Sequence, residues 1–238
     1  MKLSALLCNL AKMKYYLTDV IRHRMPRDIP YATSEDYWNE RAKLYDRQYG
    51  RELLLSNLEA ILREDIHRYK QVMELGCGIG GNLRALASRF PQILFTGVDH
   101  SERMLDKAKD NLSHQPHVRL IHADLEAAGS YLKEKQDLVF SRAVLQHLQP
   151  AVLRRVVGHV FEHVTDRFYL EELSIRDYSD GQALRWPGFP RDLYYSHDYL
   201  NIVGRYADVR FCRYKRVIIL QLFCVKQRGE NPAGDLQT

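Results

Sequence analysis

The chain has 238 residues, 45% hydrophobic and 27% charged, with 13 Gly and 8 Pro, which excludes a fibrous, low-complexity or disordered chain. No window nears the ~20 consecutive apolar residues that span a bilayer, and residues 1–10 lack the pattern of a secretory leader. Six of the 35 basic residues and one of the 30 acidic ones fall in residues 1–27, so the net charge of +5 belongs to the N-terminus and the remaining chain is neutral. A neutral body is a poor match for a polyphosphate backbone, which disfavours nucleic acid as a partner. Cys8, Cys77, Cys212 and Cys224 are scattered, with no Cys-x-x-Cys pair. That spacing predicts a reduced, cytoplasmic chain with neither a disulfide framework nor a structural metal.

Residues 1–67 read as a helical extension. At its start Leu3, Leu6, Leu7, Leu10, Met13, Leu17, Val20 and Ile21 form an apolar stripe edged by Lys and Arg. Two readings stay open for this stripe: peripheral contact with an anionic membrane face, or packing on the body or on a second copy in a homodimer. From residue 69 short apolar runs alternate with helical patterns. Residues 69–75 predict a strand, 82–90 a helix burying Leu83, Leu86, Ala87 and Phe90, and 93–98 a second strand. Ser101 is the expected N-cap of a helix burying Met104, Leu105, Ala108 and Leu112.

Residues 117–122 and 137–141 are the third and fourth strands. Pro150 opens a helix with Leu153, Val156, Val157, Val160, Phe161 and Val164 on one face. Residues 167–175 form a fifth strand, 196–206 a short helix, and 207–213 and 217–226 two closing strands. The βαβα succession predicts an α/β fold with a mostly parallel seven-stranded sheet between helical layers. The short link around residues 214–216 permits only a hairpin, which makes an edge strand antiparallel. An aromatic insert at 176–198 and a polar tail at 227–238 lie outside the core.

The chemistry starts at Glu74-Leu75-Gly76-Cys77-Gly78-Ile79-Gly80-Gly81. A strand ends, glycines turn the chain tightly, and a helix begins, so backbone N–H groups face the crevice where such sheets bind ligands. Gly76, Gly78 and Gly81 alone also satisfy the dinucleotide G-x-G-x-x-G pattern, which keeps an NAD-dependent oxidoreductase as an alternative. Asp99 ends the second strand, where a carboxylate can accept both hydroxyls of a ribose. Asp124 and Leu125 follow the third strand.

Glu74, the glycines, Asp99, Asp124-Leu125 and the stretch from Asp137 to Leu148 together resemble the class I S-adenosylmethionine-dependent methyltransferases of the small-molecule branch. The resemblance covers residues 72–226 and implies a Rossmann-like, doubly wound domain (68–226). It also implies S-adenosyl-L-methionine as cofactor. Gly76 and Gly78 would then lie against the methionine part, Glu74 near the loop, and Asp99 on the ribose. His100 and Met104 would flank the adenine, Asp124 and Leu125 would border it, and Ser141 would face the ammonium. Trp38 and Arg41 resemble part of a covering lid, with Arg41 toward the ligand carboxylate.

His147 is the expected base for a hydroxyl acceptor, with Glu171 or Glu172 as alternatives; strand alternation lets only one of the two reach the site. Arg176, Trp186, Tyr194 and Tyr195 are expected to line the acceptor pocket. The expected activity is methyl transfer to an oxygen or nitrogen of a small-molecule or saccharide-like acceptor. A non-catalytic binding protein and an RNA ribose methyltransferase are further alternatives.

Overall fold

The computed structural model describes residues 34–45, 56–65, 67–127, 134–174, 181–183, 195–215 and 219–226. Seven strands form one sheet in the order β3-β2-β1-β4-β5-β9-β8. They are β1 (Gln71–Leu75), β2 (Leu94–Asp99), β3 (Val118–His122), β4 (Leu138–Arg142), β5 (Arg167–Leu173), β8 (Ala207–Lys215) and β9 (Ile219–Lys226). The first five are mutually parallel; β9 runs antiparallel to both β5 and β8. The expected hairpin is therefore present, with the antiparallel β9 seated between β5 and the edge strand β8. From β1 the chain winds outward to β2 and β3, then returns to place β4 on the other side of β1. The reversal between β1 and β4 opens a crevice at their carboxyl ends, where this architecture binds ligands.

Burial follows strand alternation. Val72 of β1, Phe95 of β2, Leu138 and Phe140 of β4 and Tyr169 of β5 pack with α2 (Ser56–Glu64), α3 (Gly81–Arg89) and α4 (Glu102–Asn111). Met73, Leu75, Val98, Val139, Phe168 and Leu170 point the other way and pack with α5 (Pro150–His159) and α6 (Tyr199–Gly204). Both faces of the central strands β1, β2, β4 and β5 are thus covered, which is why these strands read as largely apolar runs, whereas β3 has no fully buried residue.

The predicted helical faces are buried. Leu83, Leu86, Ala87 and Phe90 fill one side of the sheet, and Leu153, Val156, Val157, Val160, Phe161 and Val164 the other. Ser101 caps α4 by accepting the Met104 N–H, and Pro150 occupies the first turn of α5, where no N–H is required. Beyond His159 the helix widens into a π-turn, Val160–Val164.

Several bounds differ from expectation: β1 starts at Gln71 and β5 ends at Leu173, each two residues inside the expected span. The short helix begins at Tyr199, not Ser196, because Asp198 caps it by accepting the Asn201 N–H. Ser196 instead belongs to β7 (Tyr195–Ser196), which pairs with β6 (Gln182–Ala183) and ties together the two ends of the insert. Strand β8 runs two residues longer than predicted, to Lys215. The amphipathic stripe near the N-terminus, most of the aromatic insert and the polar tail lie outside the described residues. Within the helical extension, α1 (Ser34–Tyr45) and α2 are described.

Candidate active site

The glycine turn after β1 is shaped by what it touches. Gly76 adopts φ +70°, and a Cβ there would overlap the Val144 methyls of the segment after β4. Gly78 has φ +53°, and a Cβ there would meet nothing within 4 Å. The first glycine admits a protein neighbour; the second leaves open space above the turn. Gly76 and Cys77 donate N–H bonds of 2.8 and 2.9 Å to the Val98 carbonyl, which anchors the turn to the end of β2.

Asp99 completes the crevice floor. One carboxylate oxygen accepts the Gly78 N–H at 2.7 Å and the other accepts the Ser101 N–H at 2.9 Å. The residue is 9% exposed, and the lone pairs of its carboxylate outnumber the N–H groups of Gly78, His100 and Ser101 that bond it. Burial pushes its pKa up, against the N–H bonds from Ser101 and Gly78 and the neighbouring His100. The His100 Nδ1 lies 3.8 Å from Asp99, and its buried Nε2 has no hydrogen-bond partner among the described residues.

Glu74 lies behind the turn, 1% exposed, and accepts a 2.6 Å bond from the Asn82 amide of α3. Its other oxygen is buried without a partner among the described residues. Burial dominates its chemistry and raises its pKa to about 8, with Asn82 and Arg142 pulling the other way.

Helix α1 lies across the open end. Ala42 packs with Met104 of α4 and Ile79 of the glycine turn, with Trp38 against the same group. Asn39 accepts the Ser101 hydroxyl at 2.7 Å, and Arg103 reaches Glu40 at 3.2 Å. On the far side the Trp38 ring meets His147 edge to face, with centroids 5.0 Å apart. Arg41 is 4% exposed, donates to the Tyr37 hydroxyl at 3.0 Å and lies against the Tyr37 and Trp38 rings. One helix thereby grips α4 with one residue and the segment after β4 with the residue before it.

The expected residues Trp38, Arg41, Gly76, Gly78, Asp99, His100, Met104 and His147 thus converge on one crevice, with Glu74 beneath it. Asp124 follows β3, the outer neighbour of β2, and is exposed; its carboxylate accepts the Glu126 N–H at 2.8 Å and so caps a short 3-10 turn in which Leu125 is buried. Both residues therefore have a structural task at the expected strand end.

Two expectations require correction. The Ser141 side chain is fully buried and donates a 2.6 Å bond to Glu172, so its hydroxyl is committed to the protein. Glu171 projects to the α2–α3 face, where it accepts from Arg142 at 3.3 Å, from Tyr169 at 3.3 Å and from Gln221 at 2.6 Å. Those three donors leave it no role as a base. Tyr195 is buried in β7 and stacks on His197, whose Nε2 lies 3.0 Å from the Leu148 carbonyl. Arg176, Trp186 and Tyr194 lie outside the described residues.

Sequence reasoning missed Asn39 and Asn82, and it left open which of Glu171 and Glu172 faces the crevice. The parity of β5 assigns Glu172 to the face of Phe168 and Leu170, but both faces are apolar, so alternation alone did not reveal which carboxylate faces the crevice. Asn39 carried no signal of its own; its partner is the N-cap of a helix more than sixty residues later. Asn82, eight residues after Glu74, follows the last glycine and starts the first turn of α3.

Comparison with known proteins bears on the same crevice. The family described as "Methyltransferase domain" matches residues 72–167, which span the glycine turn through the start of β5. A trans-aconitate 2-methyltransferase from Deinococcus radiodurans is 38% identical over 107 residues, 44% of this chain and 38% of the relative. A malonyl-[acyl-carrier protein] O-methyltransferase from Anoxybacillus flavithermus is 32% identical over 111 residues, 47% of this chain and 41% of the relative. The chain thus spans about two fifths of the length of these curated relatives.

The magnesium protoporphyrin IX methyltransferase structure from Synechocystis with bound S-adenosylmethionine aligns at a TM-score of 0.56 and 17% identity, covering 93% of this chain and 97% of that one. The PH0226 protein from Pyrococcus horikoshii aligns at 0.60 and 16% identity, covering 78% and 99%. At these identities the likeness is one of fold. The family match over the strands that build the crevice identifies residues 72–167 as a methyltransferase domain, and the fold is shared with methyltransferase structures.

Proposed function

We propose that the chain binds S-adenosylmethionine in the crevice between β1 and β4 and transfers its methyl group to an oxygen of a small-molecule acceptor. The observation that carries this reading is the open space above Gly78, floored by Asp99 and roofed by α1. The residues fit that ligand. Above Gly78 no protein atom occupies the space a Cβ would take, so a ligand can approach the backbone closely. Asp99 offers free lone pairs to a ribose, and the unpartnered Glu74 oxygen and His100 Nε2 are buried polar atoms beside the turn. A ligand without phosphate needs no broad basic cradle, which agrees with a neutral body.

The bound sulfonium supplies an electrophilic methyl carbon. The chain's part is alignment and exclusion of water, which account for most of the acceleration in such a displacement. Asp99 holds the ribose end against the glycine turn, while Met104, Ile79 and Trp38 close the apolar flank. His147, ringed by Trp38 at the crevice mouth, takes the proton when the acceptor is a hydroxyl. An acceptor that arrives ionised needs no base. The names of the two relatives, a trans-aconitate and a malonyl methyltransferase, point to carboxylate-bearing acceptors, and a carboxylate oxygen arrives already deprotonated. A nitrogen acceptor is the second reading; the same crevice serves it, with His147 as the proton sink.

Titration calorimetry with S-adenosylhomocysteine and with NADH separates the methyltransferase from the oxidoreductase reading. Tight binding of the first alone is expected; tight binding of NADH alone overturns the assignment. Transfer of labelled methyl groups to a panel of di- and tricarboxylates, phenols and amines then identifies the acceptor class. Binding without product across the whole panel favours the non-catalytic alternative, and RNA affinity that falls steeply with salt favours the ribose methyltransferase.

A further inference from the structure

We propose that Glu172, which no sequence motif singles out, is a positioning residue that fixes the turn carrying His147 and Val144 against the crevice. This inference rests on the methyltransferase reading for its consequence in turnover, but its geometry stands on the fold alone. Glu172 lies at the carboxyl end of β5 and is 0% exposed. Its two oxygens are aimed at one short segment. One accepts the Ser141 hydroxyl at 2.6 Å, and the other accepts the Val144 N–H at 2.9 Å with the Gln146 N–H at 3.5 Å. A carboxylate with no solvent contact is retained at such a place only when donors surround it, and these donors belong to the turn that leads from β4 to His147.

The turn needs such a clamp. Ala143 adopts φ +57°, a left-handed conformation that costs a non-glycine residue about 1–2 kcal/mol. The Ala143 N–H is held by the Glu171 carbonyl at 2.9 Å, so both neighbouring glutamates of β5 secure the same bend, one through its backbone and one through its side chain. Just beyond it, Val144 packs onto Gly76 of the glycine turn, and His147 closes a 3-10 turn by donating its N–H to the Val144 carbonyl at 2.9 Å. The His147 ring then meets Trp38 of α1. One buried carboxylate therefore sets the position of the glycine turn's neighbour and of the residue under the covering helix. A charged hydrogen bond is worth more than a neutral one, so a donor that faces an amide oxygen instead of a carboxylate keeps a bond but loses that surplus.

The test is made on the full chain; fluorescence alone uses a Trp186→Phe background, which leaves Trp38 as the only tryptophan, and binding and turnover are read with Trp186 in place. Trp38 emission is followed against pH, because a protonated imidazole in ring contact quenches indole. Alongside it are measured the S-adenosylhomocysteine affinity, kcat and KM, and the thermal midpoint. Glu172→Gln keeps the shape and one acceptor oxygen for Val144 and Gln146, but removes the charge and sets an NH2 group against the Ser141 hydroxyl. The expected result is a shifted or flattened Trp38 titration and about tenfold lower kcat, with KM for S-adenosylmethionine changed less than threefold. A folded Glu172→Gln chain with wild-type titration and wild-type kcat overturns the proposal.

If that variant fails to fold, Ser141→Ala removes one bond and leaves the carboxylate. The same shift in smaller measure supports the clamp, and an unchanged titration overturns it. Failure of the unsubstituted chain to bind S-adenosylhomocysteine or turn over counts against the methyltransferase reading, while the fluorescence comparison still decides for or against the clamp.

Discussion

Two glycines two residues apart divide the labour of the turn after β1, and single methyl groups distinguish them. At Gly76 a Cβ would collide with Val144, so Gly76→Ala is expected to lower stability by about 2–4 kcal/mol through overpacking and left-handed strain, seen as a lower denaturation midpoint. At Gly78 the same methyl meets nothing. Gly78→Ala is expected to cost only the conformational strain, about 1–2 kcal/mol, yet to weaken S-adenosylhomocysteine binding more than tenfold by filling the ligand's approach. Equal affinity for Gly78→Ala and the unsubstituted chain in calorimetry would contradict the assignment of that space.

The carboxyls give a pH signature. Burial pushes the Glu74 carboxyl up to about 8 and the Glu172 carboxyl up to about 7, both from 4.5. Each holds its proton longer in the folded than in the unfolded chain, so the stabilising protonation is complete below about pH 4.5 and is lost as pH rises through 7 to 8. Thermal midpoints are expected to fall between pH 5 and pH 8, and Glu74→Gln to flatten that slope.

At the scale of elements, α1 is where sequence and structure part most. The helices that cover the sheet were legible because their apolar residues recur at helical spacing: Leu83, Leu86 and Phe90 on one side, Leu153, Val157 and Phe161 on the other. The position of Asp99 at the end of the second strand was legible from the apolar run before it, but its bonds to the Gly78 and Ser101 N–H groups were not. The grip of α1 was not, since it depends on which residues meet across the fold rather than on any local pattern. Asn39 finds Ser101, and Trp38 finds His147.

The same holds for Ser141, placed correctly at its strand end but turned toward Glu172 by a neighbour in β5. Asn39→Ala removes an acceptor from the Ser101 hydroxyl while leaving the cap of α4 intact. It is expected to speed dissociation of S-adenosylhomocysteine by about three- to tenfold in stopped-flow measurements, with a thermal midpoint within a few degrees of the unsubstituted chain. Unaltered dissociation would separate α1 from ligand retention.

For the whole molecule, charge and topology carry the argument. The basic excess is confined to residues 1–27, and no described helix is long and apolar enough to cross a membrane. Co-sedimentation with anionic liposomes, comparing the full chain with one that starts at Pro30, tests the membrane reading of that segment. Retention of the full chain alone is its expected outcome, and equal behaviour of the two chains leaves packing on the body or on a second copy.

Topology has a consequence of its own. Strand β9 comes last among the described strands yet sits inside the sheet, supplying Leu220, Leu222 and Cys224 to the interior and separating β5 from β8. On the ribosome, β5 emerges with one side unpaired, and β8 has no companion until some ten further residues follow it. A nascent polypeptide interrupted before residue 219 would therefore present two bare strand margins and a breached interior. It should collect in inclusion bodies rather than persist as a weakened enzyme.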